Sequence, residues 1–501
     1  MTISRRFIET VKKSSLFVCI TALLILSCMA PFSKMLSYIL VAFEILYILL
    51  CVLRGKIQNA VIANSVFLGV SIEVSLFVFG EYTEINSYAN MPVIHRYGPL
   101  FMEVFLMLVV LIKQKGVIRF SSKNTWINSF SLMYYAMFAL GLFMALVAFI
   151  LNDNGVMHQT WMRTLFVTEL LYWSIIFVDI YLLKYCFTTY KDFHKKIART
   201  LLYYFVAIVF VLWGTILLGL YGINVNNQHL QLIPIASMYS VFLIVFPSIK
   251  EYNKKSLFFI GLLAIASTFM VMAPMGSKFF LAIVLAFIAI LWINFTRKKI
   301  FKILFIMALI AIIVLNVLPL FDSGDNYITY KMEQAMNSLN IFQKDWFKNL
   351  SDSPLKRIEE FVNIFVELIN KPIYLIGGKG IGGGIKHSVV WSSWNDGASF
   401  AYDQVFHGVF VEMHEAINAV FIQFGLFGLL FVILNALKSI WRMKRSPWII
   451  IGLFWFVFLM NVYVSMYICL AAFMLGMYES DTQRNSKKSI DDIKGVFASA
   501  H

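Results

Sequence analysis

The sequence predicts an all-α, polytopic integral membrane protein with about 12–14 transmembrane helices and one large extracytoplasmic loop. Three observations predict it. The chain is 60% hydrophobic and 14% charged, with a mean hydropathy of +0.78, a balance foreign to soluble globular domains. Apolar runs of about 17–23 residues recur along it, the length of helix that crosses a ~30 Å hydrocarbon core. Outside one long polar insert, Lys and Arg fall almost entirely on alternate loops between those runs.

Taken in order, the candidate spans are 15–32, 35–53, 59–80, 98–112, 129–151, 164–187, 200–222, 232–249, 257–274, 279–296, 303–320 and 415–437. The last apolar block, 447–478, is long enough for two more, turning near Asn461–Ser465. The run at 15–32 carries a lipobox-like Ile25-Leu26-Ser27-Cys28, but a second span follows at once, so an uncleaved first helix is expected.

Cytoplasmic loops retain Lys and Arg. With the N-terminus (Arg5, Arg6, Lys12, Lys13) inside, 30 of the 42 basic residues fall on inside segments. The rest are Lys34, Arg96, Arg163, Lys278 and eight in the 321–413 insert. The predicted organisation is a cytoplasmic N-terminus at 1–14, a helix bundle at 15–320, an extracytoplasmic loop at 321–413, C-terminal spans at 414–478 and a cytoplasmic tail at 479–501. The net charge of +15 is spread over many loops rather than one face, which argues against nucleic acid as a partner. All five cysteines lie within predicted spans, and no zinc spacing or other metal motif is present, so no metal or cofactor is expected.

The polar insert is where chemistry should sit. Ser353-Pro354 opens a helix, with Ser as cap and Pro in the first turn. Leu355, Ile358, Phe361, Val362, Phe365 and Ile369 recur at helical spacing, opposite Glu359, Glu360, Asn363 and Glu367. A second amphipathic stretch covers about 332–342, and both should lie over the membrane face or the bundle. The string IGGKGIGGG (376–384) follows no buried strand and is a poor nucleotide motif. Its six glycines allow tight turns, or backbone N–H groups facing a diphosphate. Trp391, Trp394 and His407 lie in an aromatic-rich stretch, 387–410, that could stack on sugars or anchor at the interface.

His414 stands where the chain re-enters the membrane. A neutral imidazole there can take a proton from a hydroxyl, or simply cap the helix. Arg163 and Lys278 each begin a helix that runs inward, and Arg357 sits in the first turn of the insert helix. The partial positive charge of a helix N-terminus disfavours a cation unless an anion joins it, so these three point to a phosphate-bearing ligand or to lipid headgroups. The acidic residues within spans, Glu44, Glu73, Glu103, Glu169 and Asp179, are scattered over four helices with no paired arrangement evident in sequence.

These residues carry a resemblance. His414 followed by Gly425 and Gly428, in the context QFGLFGLLF (423–431), resembles the closing motif of the outer loop in the O-antigen polymerase/ligase superfamily of bacterial envelope glycosyltransferases. The glycine string at 376–384 is similar to that family's glycine-rich turn, and PMGSKFF (274–280) to its span entry, with Lys278 for the usual Arg. The chain departs from the family in carrying Glu415, where Asn is frequent, with Asn418 a turn later.

The resemblance implies an inverting, metal-independent transferase in the bacterial cytoplasmic membrane, its active site facing outside. An undecaprenyl-diphosphate-linked oligosaccharide would be donor, with the hydroxyl of another lipid-linked repeat as acceptor. His414 would be the catalytic base, and Arg163, Lys278 and Arg357 would bind the leaving diphosphate. Trp391, Trp394 and His407 would be candidates for glycan binding. Membrane lipids surround such an enzyme, and a chain-length regulator and a flippase are the protein partners it brings to mind. A ligase or O-oligosaccharyltransferase of the same superfamily shares the motif; a glycan flippase or transporter is the competing class.

Overall fold

The computed structural model describes residues 34–64, 93–115, 126–153, 160–200, 352–394 and 400–443, with single-residue gaps at 198, 401, 412 and 414, together with a few isolated positions elsewhere. Eight helices are defined within them: α1 (Lys34–Leu53), α2 (Val93–Lys113), α3 (Trp126–Ile150), α4 (Thr160–Thr189), α5 (Asp352–Ile369), α6 (Pro372–Gly377), α7 (Tyr402–His407) and α8 (Ala416–Met443). Among the described residues there is no strand; one isolated antiparallel bridge joins Ile385 to Phe410. The protein is therefore helical. Among the described residues, three helices, Asn128–Ile150, Glu169–Thr189 and Ala416–Met443, are long and apolar enough to cross a membrane.

The predicted spans at 35–53, 98–112, 129–151, 164–187 and 415–437 fall on α1, α2, α3, α4 and α8. The remaining predicted spans lie wholly or largely outside the described residues, as do the 332–342 stretch, Lys278 and His414.

The chain forms two compact units. Unit 1 is Met1–Phe138, Leu170–Ala282 and Ser465–His501. Its interior is mainly apolar and aromatic, with a few buried polar groups: Leu106, Val110, Ile180 and Leu182 are buried, and the Tyr134 hydroxyl donates to the Trp173 carbonyl at 2.8 Å. Unit 2 is Ala139–Glu169 and Ile283–Val464, and holds the insert. Its core joins Met144 and Ala148 of α3 to Ile364 and Leu368 of α5, Tyr374 of α6, and Phe421 and Ile422 of α8.

α5 begins at Asp352, one residue before the predicted cap. Its acidic face turns inward: Glu359, Glu360 and Asn363 are buried alongside Ile364 and Leu368. α8 has a break inside it at Gly425, whose φ of 59° and ψ of −149° are not helical.

Candidate functional site

The glycine string is a docking element. Lys379 N–H donates to the Ile422 carbonyl at 2.7 Å and Gly380 N–H to the Gln423 carbonyl at 3.0 Å, both in α8 just before its break. Ile381 N–H donates to the Gly141 carbonyl of α3 at 3.2 Å. A Cβ on Gly380 would lie 2.0 Å from Ala145 N, and one on Gly425 2.5 Å from Gly378 N. Both residues also hold positive φ, 82° and 59°. Of the two uses open to these glycines, this geometry serves close backbone approach. The N–H groups of 379–381 are spent on protein carbonyls rather than turned to an anion.

Glu359 organises the loop that follows. One oxygen accepts from Trp391 N–H at 2.6 Å and Ser392 N–H at 3.2 Å, and lies 2.6 Å from His387 Nε2; the Ser392 hydroxyl donates to the other. One turn on, Asn363 Oδ1 accepts from Ser388 and Val389 N–H at 2.8 and 2.7 Å, and its amide donates to the Val389 carbonyl at 2.9 Å. Burial alone would raise the Glu359 pKa, but the hydrogen bonds from His387, Ser392 and Trp391 outweigh it and hold the carboxyl below its usual range. His387 stacks flat on Trp394, with ring centroids 3.9 Å apart and planes 6° apart.

A second polar set closes the start of α8. Arg357 Nε lies 2.7 Å from Glu415 Oε1. The Asn418 amide donates to Glu360 Oε2 at 2.9 Å and to the Arg357 carbonyl at 3.1 Å. Glu415 is nearly enclosed, whereas Arg357 keeps 40% of its side chain exposed. Chemically, this joins buried carboxylates to a cation with one side open to an incoming anion.

Three further pairs brace the unit. Lys379 Nζ, itself buried, donates to Glu367 Oε1 at 2.6 Å and to the Gly384 carbonyl at 3.1 Å. Lys371 and the Tyr374 hydroxyl both bond Asp153 Oδ2. Burial opposes it, yet those two hydrogen bonds and the Lys371 charge lower the Asp153 pKa. The Gln423 amide donates to Glu169 Oε2 at 3.0 Å.

Of the predicted site residues, Arg357 meets Glu415, the residue that follows His414 in the chain. Arg163 lies in the first turn of α4 as expected, but its side chain is outside the described residues, as are Lys278 and His414 entirely. Trp394 is 1% exposed, its ring packed against His387, Phe400 and Phe410, so it offers no face to a sugar in this arrangement. Trp391 is 41% exposed and His407 ends α7 at the surface.

Sequence reasoning missed Glu359, Asn363 and Lys379 as organising residues. The i, i+4 spacing of Glu359 and Asn363 was the available signal, and it was read as a polar face. The expectation that intramembrane acids are unpaired also needs correction. In unit 1, Glu103 and Asp179 lie within side-chain hydrogen-bonding reach of each other, Asn64 donates to Glu103, and Glu44 is near enough for charge interaction. Helices α1, α2 and α4 each bring one acid, although their positions are far apart in sequence.

No family model, no curated protein and no solved structure matches this chain.

Proposed function

We propose that the protein is a membrane glycosyltransferase that polymerises lipid-linked oligosaccharide repeats on the outer face of a bacterial cytoplasmic membrane. The observation that carries this reading is the seating of Arg357 against Glu415, next in the chain to His414 and one turn from Asn418. A cation for a diphosphate and a base for a hydroxyl come, in this reading, from neighbouring positions at the start of one helix. In this reading the acceptor hydroxyl loses its proton to His414 and attacks the anomeric carbon. The bond to the diphosphate oxygen breaks with inversion, and Arg357 and Arg163 stabilise the departing charge. Glu415 holds Arg357 until the diphosphate competes for it.

The experiment is a glycan ladder from a deletion strain, complemented by the wild-type chain or by His414→Ala. His414→Ala is expected to leave single repeats at normal protein level. Normal-length polymer in that variant would remove the base. Polymer stranded on its lipid carrier would instead indicate the ligase of the same superfamily. The pairing of Glu103 with Asp179 favours a second reading, a proton-coupled glycan transporter. That reading is indicated if repeats accumulate inside the cell.

A further inference from the structure

α5 is inside out with respect to water. Its buried side carries Glu359, Glu360 and Asn363, while its opposite side leaves Phe361, Phe365 and Ile369 exposed by 37, 43 and 48%. The stripe continues onto α6 with Ile373 and Ile376, 50 and 65% exposed. Such a continuous apolar face is rare on a water-facing surface.

Three contacts give the depth of this face relative to the span-length helices beside it. At the corner between α5 and α6, Lys371 pairs with Asp153, just beyond the end of α3 at Ile150. Phe361 stacks on Phe421, with centroids 5.3 Å apart, and Phe421 is five residues into α8, about 7 Å along it. The glycine loop reaches deeper. It bonds Gly141, nine residues before the end of α3, and packs on Gly425, nine residues after the start of α8. Both helices independently place that loop about 13 Å in from their insert ends.

We infer that 361–384 is a re-entrant element whose stripe, Phe361, Phe365, Ile369, Ile373 and Ile376, faces the hydrocarbon of the bilayer. The apolar surface of α8 is its continuation: Leu426, Leu430, Leu434 and Leu437 are exposed on that helix, beyond the point where Ile376 abuts Gly425. Irregular backbone is tolerated at membrane depth only where its polar groups find protein partners. Lys379, Gly380 and Ile381 satisfy that condition through the carbonyls of α8 and α3. The ammonium of that loop, Lys379, is enclosed with Glu367 and a carbonyl. The inference rests on reading α3 and α8 as membrane spans and is independent of the transfer chemistry.

The test uses the full chain with its five cysteines replaced, one new cysteine at a time, spin-labelled in bilayers of phosphatidylethanolamine and phosphatidylglycerol. Collisions with dissolved oxygen report lipid, and collisions with a water-soluble nickel chelate report solvent. Labels at Phe365, Ile369 and Ile376 are expected to match a label at Leu434 of α8, oxygen-rich and nickel-poor, with Ile376 the deepest. A label at His407 should show the reverse. If the stripe labels behave like His407 while Leu434 stays lipidic, the re-entrant placement is overturned and the spans stand. If Leu434 is also water-accessible, the span reading falls with it. Shielding from both probes means a protein surface covers the stripe, which also overturns the inference. Ile373, already half exposed, supplies the same readout should the Phe365 substitution impair assembly.

Discussion

Glu359 in unit 2 and Glu103 in unit 1 are equally buried, yet they are held in opposite ways. Glu359 is saturated by donors: two backbone N–H groups, a hydroxyl and an imidazole. Glu103 has the Asn64 amide on one side and another carboxyl, Asp179, within reach. The glycines repeat the contrast. Gly380 is hemmed by the backbone of Ala145, whereas a Cβ on Gly98 would meet only the side chain of Val41 at 3.0 Å. The insert is specified atom by atom; the helices of unit 1 rest on packing that can give way. Evidence against that distinction would come from mutations that cost the same in both places.

The largest effect is expected for Gly380→Ala. The methyl would meet fixed backbone and impose a positive φ on Ala, costing about 4 kcal/mol. Gly98→Ala should cost roughly 1 kcal/mol or less, because a valine rotamer can yield. Thermal unfolding in detergent, monitored by loss of soluble protein, checks the pair. Equal losses would dissolve the contrast.

Next comes Glu359→Ala, which strips acceptors from Trp391, Ser392 and His387 at once and should cost about 3 kcal/mol. Its local signature is protease cleavage within 386–394. Glu103→Gln should be near neutral, since the amide can donate toward Asp179 while its oxygen still accepts from Asn64.

Acid sharpens the same comparison. The folded pKa of Glu359 lies below its ordinary value of 4.5, so its stabilisation is complete above that value and is lost as pH falls through the depressed one. Protease sensitivity of 386–394 should therefore rise only in strong acid, and the rise should vanish in Glu359→Gln. A transition well above that range would remove Glu359 from control of the loop.

The smallest effect is expected for Lys371→Ala, about 0.5 kcal/mol, because Lys371 keeps about half of its side chain in solvent, which screens its pair with Asp153. Urea titration of the detergent-solubilised protein would measure it.

The contrast also explains what was legible beforehand. Span positions follow from apolar length alone, so α1, α3, α4 and α8 lie within a few residues of their predicted bounds, apart from the extended end of α8. α2 starts five residues before the predicted 98, because Val93–Tyr97 continue the helix beyond its apolar core. α5 was legible as a helix, and its two faces as apolar and polar. Which face is buried was not, since the donors for Glu359 come from residues 28–33 positions further on. Gly425 and Gly428 were legible as a motif, but Gly425 was not legible as the place where one segment's backbone meets another's. Glu415 read as a departure from a family pattern; its meaning waits on Arg357, far back in the chain.

The break at Gly425 has a consequence for biosynthesis. The carbonyls of Ile422 and Gln423 are capped by N–H groups from 379 and 380, made earlier by the ribosome and belonging to a different stretch. Two half-helices joined at Gly425 are not a self-sufficient rod, since two carbonyls at the break are bonded from outside the helix. The bent form of α8 is thus completed only when the glycine loop docks, and that loop, synthesised first, meets its acceptor carbonyls once 422 and 423 have followed it.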